Sequence, residues 1–245
     1  MNRRSFLQYA TLSPLFTTQL LANDDVYLSI EDFTTLTMIN TKLKKLKRYV
    51  GFANFNLLSY EDALFYARNY TKIGSFSKSE RDLIEQLFYE DPTKYGFYGS
   101  TTCVNINNKV SVNSVIKIPH TGHYLYRYKP LADYESLKQD IGSSLILTSG
   151  VRNVVKQLSL YVNKICRLNG NMTKASLSIA PPAYSYHTIS DFDVGKIGWG
   201  YRNFTSDFAT TEEFEKMTYL NYIGMRYKKN NKDGVRYEPW HVEVI

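Results

Sequence analysis

Histidine and cysteine are scarce in this chain, with four of the first and two of the second in 245 residues. Cys103 and Cys166 are too few and too far apart to frame a zinc finger or another cysteine-based metal site. In an oxidising compartment the two could pair, but their spacing does not decide the geometry a disulfide requires. No internal repeat or low-complexity tract occurs, and no apolar run approaches the roughly 20 residues needed to cross a membrane. Ribonucleoprotein motifs and long basic helices are also missing, so the net charge of +7 does not indicate nucleic acid. The densest basic stretch, KLKKLKR at 42–48, reads as a solvated helix face. A composition of 43% hydrophobic and 22% charged residues excludes wholesale disorder and supports a sizeable core.

The amino terminus lacks acidic residues before Asp24. Arg3 and Arg4 precede Phe6 and Leu7, a mildly apolar stretch follows, and Ala22 is a small residue suited to cleavage. This order of charge, apolar segment and small exit residue is that of an export signal, here of twin-arginine type. Residues 1–22 are therefore expected to direct the chain to the periplasm or cell wall. Loss of those two arginines would lower the charge from +7 to +5, still suited to an anionic polymer such as a cell wall.

Between residues 23 and 114 the pattern is mainly helical. Residues 29–48 form one helical segment. Ser59 with Asp62 opens a second, and Ser77 with Glu80 opens a third that Pro92 stops. From 115 the period changes. VNSVIKIPHTGHYLYRY reads as strand or loop, PLADYESLKQDI as helix, and SSLILTSG as a short buried strand. Residues 153–168 form an amphipathic helix, and TTEEFEKMTYLNYIG another, with Thr210 as cap and Glu213 three residues on. The last segment reads as a hairpin turning at Asn231 to Gly234, with Pro239 forcing His241 onto a strand. Helices and antiparallel strands segregate along the chain, which predicts an α+β fold.

Three segments carry candidate chemistry: LILTSGVRN, PPAYSYHTISDFDVG and YEPWHVEV. A catalytic zinc ion takes three protein ligands and leaves one position for water. His187, Asp193 and His241 offer two nitrogens and one oxygen. Glu238 is placed to accept a proton, and Arg152 to hold a polarised carbonyl oxygen. Taken singly, each histidine could equally be a packed core residue, and Arg152 a turn cap or ion-pair partner. His120 and His123, in IPHTGHY, have no third ligand nearby and read as loop residues bordering a cleft. Tyr184, Tyr186 and Tyr237 flank the motifs, to shape the cleft or only to pack.

Taken in order, SGVR, SYH-x5-D and EPWH resemble the M15 family of zinc D,D-peptidases over residues 115–245. The family includes vancomycin-resistance D-alanyl-D-alanine carboxypeptidases and shares its core with the hedgehog signalling domain. The resemblance implies a small antiparallel-sheet catalytic domain at 115–245, after the helical region at 23–114. It implies His187, Asp193 and His241 as ligands of Zn2+, Glu238 as general base, Arg152 as carbonyl stabiliser and Ser185 near the substrate. Most members place six residues between the first histidine and the aspartate, whereas here there are five, and Val194 holds the longer position. Asp191 is thus a rival ligand, since on a strand it shares a face with Asp193. The pair Asp193-Val194 matches the family's Asp-aliphatic pair and favours Asp193.

The implied activity is hydrolysis of the terminal D-Ala-D-Ala bond of peptidoglycan stem peptides. The alternatives are an endopeptidase of the same family and a zinc-bearing wall-binding domain without catalysis. Retention of Glu238 and Arg152 weighs against the last, because a structural zinc needs neither.

Overall fold

The computed structural model describes residues 25–245, so the export pattern expected at 1–22 lies outside the described residues. Four helices open the described chain: α1 (Ile30–Val50), α2 (Phe52–Phe55), α3 (Tyr60–Asn69) and α4 (Lys78–Tyr89). The starts of α1, α3 and α4 are set by serine side-chain caps. Ser59 Oγ accepts from the Asp62 amide at 3.1 Å. Ser77 and Glu80 form a full capping box, with the Ser77 amide donating to Glu80 at 2.6 Å. Lys42 of α1 also reaches Glu80, at 2.5 Å, and ties the first helix to the fourth.

The second half alternates strands and helices in the order β1 (Val115–Lys117), β2 (Tyr124–Tyr126), α5 (Lys129–Ile141), β3 (Leu145–Ser149), α6 (Val154–Arg167), α7 (Met172–Ser176), β4 (Phe192–Lys196), α8 (Glu212–Met217), β5 (Ile223–Met225) and β6 (His241–Val244). Strands β1 and β2 form a small hairpin, and the other four make an antiparallel sheet ordered β3-β4-β6-β5. The α+β expectation therefore holds, with helices first and a small antiparallel sheet after them.

Two hydrophobic cores result. One face of the sheet, with Leu147, Phe192, Val194 and Val242, packs against Leu137 and Tyr134 of α5 and against Phe208 and Trp240. The apolar stripe of α6, with Val155, Leu158, Val162 and Ile165, is buried instead among Leu36, Ile39, Leu43 and Leu87 of the amino-terminal helices. Helix α6 thus joins the helical region to the sheet.

Two local expectations are corrected. The cap of α8 is Thr211, not Thr210. Thr210 closes a 3-10 turn over Ser206–Thr210, and Thr211 Oγ1 accepts from the Phe214 amide at 3.1 Å. The helix ends at Met217, because Ile223–Met225 leaves it to pair with β6. Strands β5 and β6 do pair antiparallel, but no tight turn joins them. The connecting loop spends its backbone hydrogen bonds elsewhere. Asp233 O accepts from the Tyr98 amide at 2.8 Å, and the Arg236 amide donates to Leu177 O at 2.8 Å. Asn231 still organises the loop tip, donating to Lys228 O and Val235 O at 2.8 and 2.7 Å. The cysteines do not pair: Cys103 and Cys166 are free thiols.

One glycine fixes the approach of the hairpin to the sheet. A β-carbon on Gly150 would lie 2.0 Å from Tyr124 O, the same carbonyl that accepts from the Val151 amide at 2.8 Å. Gly150→Ala must push β2 away from the end of β3. It is expected to lower the unfolding free energy by about 1–3 kcal/mol, read from the urea midpoint at unchanged slope. A wild-type midpoint would show that this approach is not fixed.

Candidate metal centre and cleft

Strand register brings the site together. Asp193 of β4 pairs with Ser149 of β3 on one side and with His241 of β6 on the other. His241 is placed by the turn before it, where its amide donates to Glu238 O at 3.1 Å across Pro239 and Trp240. His187 lies in a 3-10 turn, Tyr186–Thr188, clasped to the end of β3. The Arg152 amide donates to His187 O at 3.1 Å, and Thr188 Oγ1 donates to Arg152 O at 3.2 Å.

Each imidazole is oriented by its far nitrogen. His187 Nδ1 lies 3.0 Å from Gly150 O, which can only accept, so Nδ1 carries the proton and the Nε2 lone pair faces inward. His241 Nε2 lies 3.1 Å from Asp191 Oδ2, which turns Nδ1 inward in the same way. Asp191 is itself held by Arg226, which donates through Nε and, at 3.2 Å, through Nη2, and by the Val244 amide at 3.3 Å. The Arg226 guanidinium lies 3.5 Å from the centroid of the Tyr186 ring.

His187, Asp193 and His241 each offer one ligand atom, all within 4.8 Å of one another and all buried. Asp193 Oδ1 stands 3.3 Å from His187 Nε2 and 3.2 Å from His241 Nδ1. Two ligands on a tetrahedral zinc with bonds of about 2.0 Å stand roughly 3.3 Å apart, so the residues fit the ion. His187 Nε2 and Asp193 Oδ1 also lack any hydrogen-bond partner despite their burial. Two inward electron pairs without a donor repel each other and call for a cation. The second oxygen of Asp193 accepts from Arg152 Nη2, and Arg152 Nε donates to Ser149 Oγ at 2.8 Å. Asp191 is not in this cluster: it sits behind His241, on the far nitrogen.

Electrostatics follow burial and charge. Desolvation, helped by the Arg152 charge, drives the His187 pKa down to about 4. Burial would lower His241 too, but the hydrogen bond to Asp191 and the nearby Asp193 carboxylate overcome it and raise His241 to about 9. Burial opposes ionisation of Asp193, yet His187 and Arg152 hold its carboxyl well below the usual range. Glu238 is raised to about 7, first by burial and then by the Asp193 charge, against the opposing pull of His241. Its Oε2 stands 4.0 Å from His241 Nδ1, and Oε1 3.6 Å from Arg236 Nε.

These residues open on a cleft of about 400 Å³. Ser185 lines it, as do Arg152, Glu238 and the three cluster residues. The cleft continues along α6 past Lys156 and Gln157 to Lys164 and Arg167. His123 borders it, while His120 sits on the hairpin turn with φ 62°. Sequence reasoning singled out neither Arg226 nor Lys156. Arg226 lies in a run of basic residues with no pattern of its own, and Lys156 lies off the apolar stripe of its helix, where a lysine reads as solvated.

Residues 127–245 match the family model for VanY, D-alanyl-D-alanine carboxypeptidase. No curated protein matches the chain by sequence. Among solved structures, the LdcB LD-carboxypeptidase, whose structure is described as revealing the basis of peptidoglycan recognition, aligns with a TM-score of 0.50 at 20% identity, covering 64% of this chain and 78% of its own. That likeness is one of fold. The vancomycin-resistance D,D-pentapeptidase VanY in complex with Zn(II) aligns with a TM-score of 0.42 at 16% identity, covering 61% of this chain and 88% of its own. VanYB in complex with D-alanine-D-alanine gives 0.41 at 20% identity, covering 58% and 84%.

The raised Glu238 pKa has a consequence for stability. A carboxyl raised from 4.5 to about 7 on folding contributes its full stability below pH ~4.5 and loses it as pH rises through ~7. In chelator-treated protein, Glu238→Gln is expected to match wild type near pH 4 and to be more stable near pH 8, by up to about 3 kcal/mol. Equal denaturant midpoints at both pH values would contradict the assigned burial.

Proposed function

Residues 127–245 belong to the D-alanyl-D-alanine carboxypeptidase family of M15-type peptidases, and on that premise we propose that the chain is an exported zinc carboxypeptidase removing the terminal D-alanine from peptidoglycan stem peptides. The observation that carries this reading is the convergence of three buried ligand atoms in a cleft, with a carboxyl poised near neutrality beside them. His187 Nε2, Asp193 Oδ1 and His241 Nδ1 are the proposed ligands. Asp191 and Arg226 are proposed to fix the His241 tautomer. A bound zinc would supply Lewis acidity, making water acidic enough to be deprotonated near neutral pH and polarising the scissile carbonyl.

The protein's own groups do the rest. Glu238 accepts the proton of the attacking water and hands it to the departing amine. A carboxyl with a pKa of about 7 suits both halves of that exchange. Arg152 lies at the cleft edge with its guanidinium already turned toward Asp193, where it can also stabilise the carbonyl oxygen as charge develops. Ser185, buried and lining the cleft, is proposed to contact the substrate backbone. The basic net charge suits an anionic wall, and no helix among the described residues is long and apolar enough to cross a membrane.

The direct test is digestion of a stem pentapeptide by wild type and Glu238→Gln, with zinc content measured in both. Wild type should release one D-alanine. The variant should keep its zinc and lose about 10²–10⁴-fold in turnover. Normal turnover by the variant would remove Glu238 from the mechanism. Cleavage inside the stem, seen by mass spectrometry, would replace carboxypeptidase with endopeptidase. Separately, Asp191→Asn is expected to weaken zinc affinity by about 10–100-fold without abolishing binding. Complete loss of zinc would make Asp191 a ligand.

A further inference from the structure

Lys156 is 6% exposed, projects from the first turn of α6 and lines the cleft. Buried ammonium groups are normally paired. Among the described residues no carboxylate pairs with this one. The charges acting on it are those of Arg152 and Lys47, both repulsive, and together with burial they pull its pKa down to about 7. A favourable neighbour is the ring of Phe52, whose centroid lies 4.9 Å from Nζ.

The surroundings form a wall at this end of the cleft. Phe52 belongs to α2 of the amino-terminal helical region, and its ring meets His123 edge-on at 5.1 Å. A β-carbon on Gly122 would lie 2.8 Å from the same ring. The segment after α2 is bonded to both neighbours. Asn56 Nδ2 donates to Gly122 O at 3.1 Å, and the Asn153 amide donates to Asn56 O at 2.8 Å. The ammonium, His123 and the three proposed ligands line one cleft.

A carboxypeptidase substrate carries its free carboxylate one residue beyond the scissile carbonyl, about 3.8 Å further along the chain. Lys156 follows Arg152 by four residues, and Arg152 touches the proposed ligand Asp193. We propose that Lys156 is the counter-ion for the free α-carboxylate of the substrate's last residue, held in place by Phe52 from the amino-terminal helices. This rests on the carboxypeptidase reading and gives the helical region a part in specificity: it closes the cleft on the carboxyl side of the bond. Lysine needs no compensating carboxylate of its own there, because the substrate brings one.

The test compares an acylated peptide ending in D-Ala-D-Ala as free acid and as carboxamide, on the full-length zinc-loaded chain. Wild type should favour the acid by about 10–100-fold in kcat/KM, the value of one charge-assisted contact. In Lys156→Met that preference should collapse toward unity, mainly through a higher KM for the acid, and Lys156→Arg should restore most of it. Methionine is close to lysine in size and removes an unpaired buried charge, so the variant is expected to fold. An unchanged preference in Lys156→Met would overturn the proposal and leave the ammonium facing some other group. A parallel NMR titration of the metal-free protein with N-acetyl-D-alanyl-D-alanine and its amide reads the same contact without turnover. If wild type hydrolyses neither peptide, the peptidase reading falls, and the titration still decides Lys156. Tighter binding of the acid, lost in Lys156→Met, supports the assignment, and equal binding of acid and amide refutes it.

Discussion

Three ligand atoms of buried side chains, converging on one point at the cleft, set the terms for the rest of this molecule. Asp193 Oδ1 lies within 3.3 Å of two imidazole nitrogens. Without a cation the facing lone pairs of His187 Nε2 and Asp193 Oδ1 repel each other, and the fold holds them in place with specific contacts. The Gly150 carbonyl sets one tautomer and Asp191 the other, and Arg226 in turn holds Asp191. The sheet supplies the spacing, because Ser149, Asp193 and His241 fall in one row across β3, β4 and β6. A residue slip of β6 would turn His241 to the opposite face.

The same burial that encloses the three ligand atoms tunes what lies beside them. Glu238 is pushed toward neutrality by desolvation and by the Asp193 charge. Arg152 donates to both Ser149 and Asp193 while lining the cleft, so its guanidinium is already anchored there. The helical region stands outside this chemistry but shares a core with α6 and places Phe52 at the cleft wall. Helix α6 therefore carries both its stability and its geometry into the site.

Local signals in the sequence were strong where one or two side chains decide an element. The capping box of Ser77 and Glu80 and the cap at Ser59 are such cases, and so is the buried strand LILTS. The three motifs were legible because their residue types match a zinc site and their order matches a family. Between Asp191 and Asp193, the residue pattern by itself leaves a choice, and only the resemblance of the Asp193-Val194 pair favours Asp193. Pleat alternation puts both on one face, and only the turn into β4 separates a cluster member from the partner behind His241. The connection before β6 was misread as a tight hairpin because its hydrogen bonds go to Tyr98 and Leu177, distant in sequence. Arg226 and Lys156 carried no signal, since a basic residue reads alike on a solvated face and against a buried carboxylate or an empty stretch of cleft.

The central claim is that His187, Asp193 and His241 bind a single zinc ion. X-ray absorption at the zinc edge of the loaded full-length protein tests it most directly. The account predicts one zinc per chain in a four-coordinate shell of nitrogen and oxygen at about 2.0 Å, with imidazole scattering from two histidines. Sulfur in that shell, six oxygen neighbours, or a spectrum unchanged by His187→Ala would contradict it.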